Sequence, residues 1–336
     1  MIFMKLLVTG GMGFIGSNFI RYYLDRHEGS QVINVDALKY GSNPDNLLVF
    51  EDDRRYSFVE GNISDGDLMA RLVGDVDAVV NFAAETHVDR SISNPETFLA
   101  SNVLGTFSIL EALRKRNPEA RLVQISTDEV YGDALEGSFT EADTLRPSSP
   151  YSASKASSDV FVQAYARTYG LPFMITRCTN NYGPCQFPEK LIPKAVIRTL
   201  TSLKIPVYGT GKNVRDWIYV LDHCKAVDMV LESGVAGEIY NVSSGEEKTN
   251  LEVVKTLLDC MGKDETAIEF VEDRPGHDLR YSLDSSKIRR ELGWQPDHSF
   301  EEGMKETVRW YVENEAWWRP LADDRVLHPT PWKLEW

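Results

Sequence analysis

The run Lys5-Leu6-Leu7-Val8-Thr9-Gly10-Gly11-Met12-Gly13-Phe14-Ile15-Gly16 puts a strand, a glycine cluster and the opening of an amphipathic helix end to end. Small residues at such a turn let the backbone approach a pyrophosphate at the helix N-terminus, where unpaired amides and the helix dipole favour an anion. A glycine pattern alone is as readily a tight strand-to-helix turn. Asp36 changes that balance, because it closes the next expected strand 20 residues beyond Gly16. A carboxylate placed there accepts both hydroxyls of an adenosine ribose and repels a 2′-phosphate, so NAD is expected in preference to NADP.

Past Asp36 the first half continues to alternate short β-branched runs with longer amphipathic stretches, the pattern of a parallel sheet wrapped by helices. Strands are expected at 5–9, 31–36, 56–60, 78–83, 122–126 and 173–176, and helices at 15–25, 66–72, 95–116 and 151–169. The fold class is accordingly α/β, a Rossmann-type doubly wound parallel sheet of at least six strands. After about residue 178 the texture turns proline-punctuated and aromatic, as in Tyr182-Gly183-Pro184, Phe187-Pro188, Ile192-Pro193 and Ile205-Pro206. This divides the chain into a dinucleotide-binding domain over 1–178, to which about 209–243 returns, and a smaller mixed α/β lobe over 179–336, mainly for substrate.

The 336 residues are 42% hydrophobic and 26% charged, the balance of an ordinary globular protein. With 36 basic against 51 acidic residues the net charge is −15. Nucleic acid and anionic membranes are therefore poor partners, and a phosphate-bearing ligand must be held by individually placed cations. Cys178, Cys185, Cys224 and Cys260 fit neither a CxxC metal pattern nor a disulfide framework, which reads as reduced thiols in the cytoplasm and no metal site. The opening from Met1 to Thr9 lacks a basic leader and reads as strand, with Met4 an equally good start. No window approaches the roughly 18 apolar residues of a membrane span. Trp310, Trp317, Trp318, Trp332 and Trp336 read as packing residues.

Tyr151-Ser152-Ala153-Ser154-Lys155 sets a phenol and an ammonium at i and i+4, on one face of the helix that follows Pro150. On most helix surfaces that spacing is a solvated pair. Downstream of a dinucleotide fingerprint it has a chemical use. The ammonium, helped by the positive charge of nicotinamide, is expected to lower the Tyr151 pKa from its free value of about 10. The phenol then becomes a base for a hydroxyl proton while hydride passes from the same carbon to NAD.

These residues resemble the extended short-chain dehydrogenase/reductases that act on nucleotide sugars. The likeness runs along nearly the whole chain, through Asn81-Phe82-Ala83-Ala84-Glu85-Thr86-His87-Val88-Asp89, Asn102-Val103-Leu104-Gly105-Thr106, Asn180-Asn181-Tyr182-Gly183-Pro184, Gly209-Thr210-Gly211 and Arg215-Asp216-Trp217. Within that family the chain is most similar to the dTDP-glucose 4,6-dehydratases. The selecting stretch is Ser126-Thr127-Asp128-Glu129-Val130-Tyr131-Gly132, since related 4-epimerases generally carry small or hydroxyl residues in place of the Asp-Glu pair. Removing water across C5 and C6 of a hexose takes one group for the C5 proton and another for the departing hydroxyl. Adjacent carboxyls divide that work if burial and mutual repulsion keep one of them protonated.

The resemblance implies Glu129 as the base, Asp128 as the acid and Thr127 as hydrogen-bond partner of the C4 oxygen, with Tyr151 and Lys155 completing the catalytic set. It implies a redox-neutral lyase that turns dTDP-glucose into its 4-keto-6-deoxy derivative for deoxysugar biosynthesis of the rhamnose type, and a homodimer packed through helices 95–116 and 151–169. UDP-glucose is the alternative substrate, because thymine and uracil differ by one methyl, worth only about 1 to 3 kcal/mol in an apolar pocket. A 4-epimerase is the further alternative.

The same resemblance assigns contacts. NAD is implied at Gly10, Gly13, Phe14, Ile15, Gly16, Asp36, Leu38, Asn62, Ile63, Phe82, Ala83, Ala84, Ser101, Tyr151, Lys155 and Asn181. Substrate is implied at Thr86, Asn180, Lys190, Leu191, Pro206, Tyr208, Arg215, Asn250, Arg274, His277 and Tyr281, with Arg215 and Arg274 as guanidinium partners of the pyrophosphate. Asn62 stands where relatives often have an Asp against the adenine, and its amide oxygen is expected to accept from the adenine amino group. His87 reads as a residue that shapes the pocket, since Tyr151 already supplies a base. Cys185 has no functional reading.

Overall fold

The computed structural model describes residues 3–335. The first half contributes strands β1 (Lys5–Thr9), β2 (Gln31–Asp36), β3 (Tyr56–Glu60), β4 (Ala78–Asn81), β5 (Arg121–Thr127) and β6 (Phe173–Cys178). The second contributes β7 (Asn180–Tyr182), β8 (Ile205–Tyr208), β9 (Val214–Tyr219), β10 (Ile239–Val242), β11 (Glu247–Thr249) and β12 (Ile268–Val271). Seven of these form one parallel sheet in the order β3-β2-β1-β4-β5-β6-β10, one strand more than the minimum read from sequence. The strand order reverses between β1 and β4, so the connections leaving their C-terminal ends part around a crevice, the position at which open α/β sheets bind ligands.

Successive side chains of β1 point to opposite faces and feed two cores. Leu6 and Val8 pack with Phe19, Ile20 and Tyr23 of helix Phe14–Arg26 and with Val227 and Leu231 of helix Val220–Ser233. Leu7 packs with Met69 of helix Gly66–Leu72, Leu110 and Leu113 of helix Gly105–Arg116 and Val162 of helix Pro150–Tyr169. Strands covered on both faces have to be apolar throughout, which is why Leu6-Leu7-Val8 and Ala78-Val79-Val80 are unbroken runs.

Two expected elements end differently. The strand expected over 78–83 stops at Asn81, whose side chain bridges Thr9 Oγ1 and Gln124 Oε1 on the neighbouring strands, and residues 82–86 line the crevice. The single helix expected over 95–116 is three pieces: Pro95–Phe98, a π-helical turn Leu99–Leu104, and Gly105–Arg116. The wider turn accommodates a buried Asn102, whose Nδ2 donates to Ser154 Oγ (2.8 Å) and Glu85 O (3.0 Å) while its Oδ1 accepts from Glu85 N (2.8 Å). This ties the segment after β4 to the helix that carries Tyr151.

The remaining strands make small sheets, β11-β9-β7 and β12-β8, over a third core of Ile192, Val196, Trp217, Val253, Leu257, Phe300, Met304 and Tyr311. Of the segment 209–243, helix Val220–Ser233 and β10 join the first core and the large sheet, whereas β9 pairs with β7 and β11. Trp310 and Trp317 pack edge to face with each other and with Tyr311, and Trp318 is buried. Trp336 and the Met1-Ile2 start of the expected opening strand lie outside the described residues.

Candidate active site

The turn after β1 offers backbone and no side chain to the crevice. Gly10 has φ +71°, and a Cβ there would come within 2.6 Å of the Ala83 backbone; one at Gly16 would meet Gly10 O at 2.4 Å. Gly13 caps helix Phe14–Arg26 without a side-chain hydrogen bond and no acid stands in its first turn, so the first amides keep their capacity for an anion. Asp36 is buried; its Oδ2 accepts from Met12 N and its Oδ1 from Leu38 N, both at 2.9 Å. Each oxygen retains a lone pair for a ribose hydroxyl. Burial raises the Asp36 pKa, and the two amide bonds pull against that.

A cavity of about 310 Å³ lies over this turn, and of the residues expected to hold NAD all but Leu38 line it. Leu38 instead supplies its amide to Asp36 and packs its side chain against the first core. Asn62 lines the cavity in another state than expected: its Oδ1 already accepts from Ser64 N and Ser64 Oγ, both at 3.0 Å. Both oxygen lone pairs are thereby used, which leaves the Nδ2 donors for a ligand. With a glycine cradle, open helix amides and a ribose-ready carboxylate, the residues present fit NAD.

Where β5 ends, Thr127 caps a short 3₁₀ turn over Asp128–Val130 and fixes the two carboxyls. Thr127 Oγ1 donates to Asp128 Oδ1 (3.0 Å) and accepts from Glu129 N (3.3 Å). Asp128 Oδ2 is buried with no partner. Burial, and next the neighbouring Glu129 carboxylate, push Asp128 up to about 8. Burial also raises Glu129, but Arg274, Arg215 and Lys190 oppose the shift. The electrostatics thus favour a proton on Asp128 and a charge on Glu129.

Tyr151 stands in the first turn of helix Pro150–Tyr169, which Ser149 and Ser152 cap reciprocally and Pro150 opens. Lys155 follows one turn later, and its Nζ donates to Ile125 O of β5 at 2.6 Å. Of the two charges expected to lower the Tyr151 pKa, Lys155 and nicotinamide, the first is not among the protein groups that set it. Burial, then the charges of Glu129, Cys178 and Asp128, hold the phenol well above its ordinary value, with the Thr127 hydroxyl working weakly against them. Lys155 is itself lowered by burial. Behind them the buried pair Arg177 Nε to Asp159 Oδ2 (2.9 Å) locks this helix to β6. Cys178, at the end of β6, lines the same cavity with its thiol pushed up to about 12 by burial.

A second cavity of about 220 Å³ opens beside the first, and every residue expected to touch substrate lines it. Thr86, Glu129, Tyr151, Asn180 and Lys190 line both, so Glu129 and Tyr151 sit where the two meet, while Thr127, Asp128 and Lys155 line the first cavity alone. Arg215 gives its side-chain hydrogen bonds to the carbonyls of Val214, Asp278 and Leu279, and its guanidinium lies 4.2 Å from the Tyr281 ring centre. Arg274 is differently placed, paired to Asp89 at 3.0 Å.

Several cavity residues escaped the sequence reading. Buried Glu189 lines both cavities, with Oε2 3.2 Å from His87 Nδ1, and Lys194 and Asp89 line the second. Apart from the charges next to Lys190 and His87, nothing in the local sequence marks them. His87, at φ +86°, is partly buried and held well below its ordinary pKa by desolvation, then by Lys190, Lys194, Arg90 and Arg274. It is a neutral wall of the second cavity. Cys185, at φ +64°, is buried with its thiol pushed up to about 11, and its place gives it no chemical role.

A glycine-turn dinucleotide cavity that joins a cation-rimmed one at a Tyr-x-x-x-Lys helix defines a short-chain dehydrogenase/reductase of the extended type. More particularly, residues 7–307 match the family model described as GDP-mannose 4,6 dehydratase, and the chain belongs to that family. It is 52% identical over 309 residues to the low-salt glycan biosynthesis protein Agl12 of Haloferax volcanii, covering 92% of this chain and 99% of that protein. It is 49% identical over 322 residues to a dTDP-glucose 4,6-dehydratase of Streptomyces niveus, covering 95% and 96%. Among solved structures, DesIV, a dTDP-glucose 4,6-dehydratase from Streptomyces venezuelae with NAD and TYD bound, superimposes with a TM-score of 0.93. Its sequence identity is 51%, with 95% of this chain and 100% of that one covered.

Proposed function

We propose that the chain is a dTDP-glucose 4,6-dehydratase, an NAD-using hydro-lyase that forms dTDP-4-keto-6-deoxyglucose and water. The observation that carries this reading is the Asp128 and Glu129 pair, Glu129 lining both cavities and Asp128 the first, with the Asp128 carboxyl favoured as acid and the charge of Glu129 supported by three cations. Relatives that carry this activity in their names, at about half identity over nearly their whole length, support it.

When bound, NAD supplies a two-electron acceptor that takes hydrogen from C4 and returns it at C6, and a positive ring charge that favours a nearby phenolate. Gly10, Gly13 and Gly16 with the first amides of helix Phe14–Arg26 would hold its pyrophosphate, and Asp36 its ribose. Tyr151 takes the proton of the C4 hydroxyl while Thr127 steadies the oxygen. The C4 ketone acidifies C5–H, and Glu129 removes that proton as Asp128 protonates the departing C6 hydroxyl. Glu129 then gives its proton back to C5. The proton held by Tyr151 equals the one Asp128 lost, so the site ends with as many as it began with and the sugar loses one water. Arg215 takes the pyrophosphate, with Arg274 sharing its charge between that group and Asp89.

The same reading assigns NAD to 1–178 with the returning 220–242, and substrate mainly to 179–336. Leu99, Leu104, Phe107, Val160 and Phe161 are 39% to 57% exposed on adjacent helical segments, and Phe107 and Phe161 touch edge to face. A second copy of the chain would cover this apolar patch, giving a homodimer; sedimentation as a single chain would refute it. Among the described residues the four cysteines are free and no helix is long and apolar enough to cross a membrane, in keeping with a cytoplasmic enzyme.

Incubation with dTDP-glucose and UDP-glucose separately, without added reductant, tests the assignment by product mass. Loss of one water from dTDP-glucose at the higher rate is expected. A faster reaction with UDP-glucose would move the assignment to that substrate, and unchanged mass with inversion at C4 would make the protein an epimerase.

A further inference from the structure

The segment 323–335 runs from helix Leu191–Leu200 to the wall of the second cavity. Lys194 Nζ donates to His328 O (3.2 Å) and Arg198 Nη1 to Leu327 O (2.6 Å), which fixes its beginning. Trp332 then meets the Tyr208 ring edge to face, with centroids 4.6 Å apart and planes at 74°. Tyr208 lines the cavity and makes a second edge-to-face contact with His277 at 6.3 Å. The next residue, Lys333, pairs its Nζ with Glu272 Oε2 at 2.5 Å. Glu272 adjoins Asp273, whose Oδ1 accepts from Arg274 N (2.8 Å) and lies 2.6 Å from His277 Nδ1. Tyr208 and Val271 are register partners at the ends of β8 and β12, so Trp332 and Lys333 grip both strands' exits from one side.

We infer that Trp332 is a positioning residue for substrate binding: it fixes the ring of Tyr208 and, with Lys333, the 272–277 turn, so that Tyr208, Arg274 and His277 form one wall ready for a nucleoside diphosphate. The inference rests on the functional reading above. Trp332 does not line the cavity, so it acts through Tyr208 and leaves Asp128, Glu129 and Tyr151 untouched. A wall ordered in advance spares binding the entropy of immobilising an aromatic side chain and a loop.

The test is calorimetric titration of dTDP into wild type, Trp332→Ala and Trp332→Phe, with kcat and KM for dTDP-glucose. In Trp332→Ala the Kd for dTDP and the KM are expected to rise about fivefold, with kcat within about twofold of wild type. Trp332→Phe, which keeps an aromatic edge against Tyr208, is expected to restore most of the affinity. Unchanged Kd and KM in Trp332→Ala, or a fall in kcat at unchanged KM, would overturn the inference. Should Trp332→Ala fail to fold, the exposed pair decides: Lys333→Glu is expected to raise Kd about twofold and its combination with Glu272→Lys to bring it back. No rise in Lys333→Glu would then overturn it. A wild-type chain that binds UDP and not dTDP overturns the base assignment of the functional reading, and the same comparison on UDP still decides this one.

Discussion

Around Gly10 the walls of the nucleotide cavity are main chain. Glycines clear the way, helix amides lie open, and the carboxylate of Asp36 is held by two amides from its own neighbourhood. Around Arg274 the walls are polar and charged side chains brought from far apart: Asp89 against Arg274, Glu189 against His87, and buried Lys194, whose Nζ donates to His328 O. A cavity made of backbone is encoded by local spacing and takes a ligand that hardly varies. One made of side-chain charges is encoded by the whole fold, and it can be tuned to a particular substrate one residue at a time.

Breaking one cavity should spare the other. Gly10→Ala forces a Cβ into the Ala83 backbone, which cannot yield, at a position of positive φ. NAD affinity is expected to fall about a hundredfold, some 2.7 kcal/mol. Affinity for dTDP should stay within about twofold, as equilibrium binding of each ligand will report. The reverse break, Arg215→Ala, is expected to weaken dTDP about tenfold with NAD retention unchanged, because that guanidinium has carbonyls and no carboxylate as hydrogen-bond partners. Equal losses of both ligands in either variant would show that the two cavities are energetically one.

What could be read in advance follows the same division. The glycine turn, Asp36 and the i, i+4 pair Tyr151 and Lys155 are local patterns, and the fold sets them where their spacing says. Glu189, Asp89 and Lys194 meet only when β4, β6 and the second lobe assemble, so no periodicity announces them. The errors have physical causes of the same kind. The π turn at Leu99–Leu104 goes with Asn102 bridging two distant segments. Asn62 spends its oxygen on Ser64. The Tyr151 phenol is raised by burial and by the charges of Glu129, Cys178 and Asp128, while the Lys155 ammonium donates to Ile125 O.

A smaller effect sharpens the electrostatic part of the contrast. Asp128 has a folded pKa of about 8 against an ordinary 3.8. As pH rises through that window the unfolded chain releases a proton that the folded chain keeps, so stability contributed below the ordinary value is progressively lost up to the folded one. Asp128→Asn removes this dependence. Its melting temperature relative to wild type should therefore be higher at pH values near or above the folded pKa than at pH values near the ordinary one. A pH-independent difference would mean that Asp128 is not held protonated by its surroundings.

The central claim is that Asp128 is the acid that expels water after C4 has been oxidised. The direct measurement is rapid-mixing absorbance of the reduced cofactor together with product mass, for Asp128→Asn and dTDP-glucose. The account predicts that the absorbance builds up while water loss slows by about a hundredfold or more. Dehydration at the wild-type rate with no build-up would contradict it.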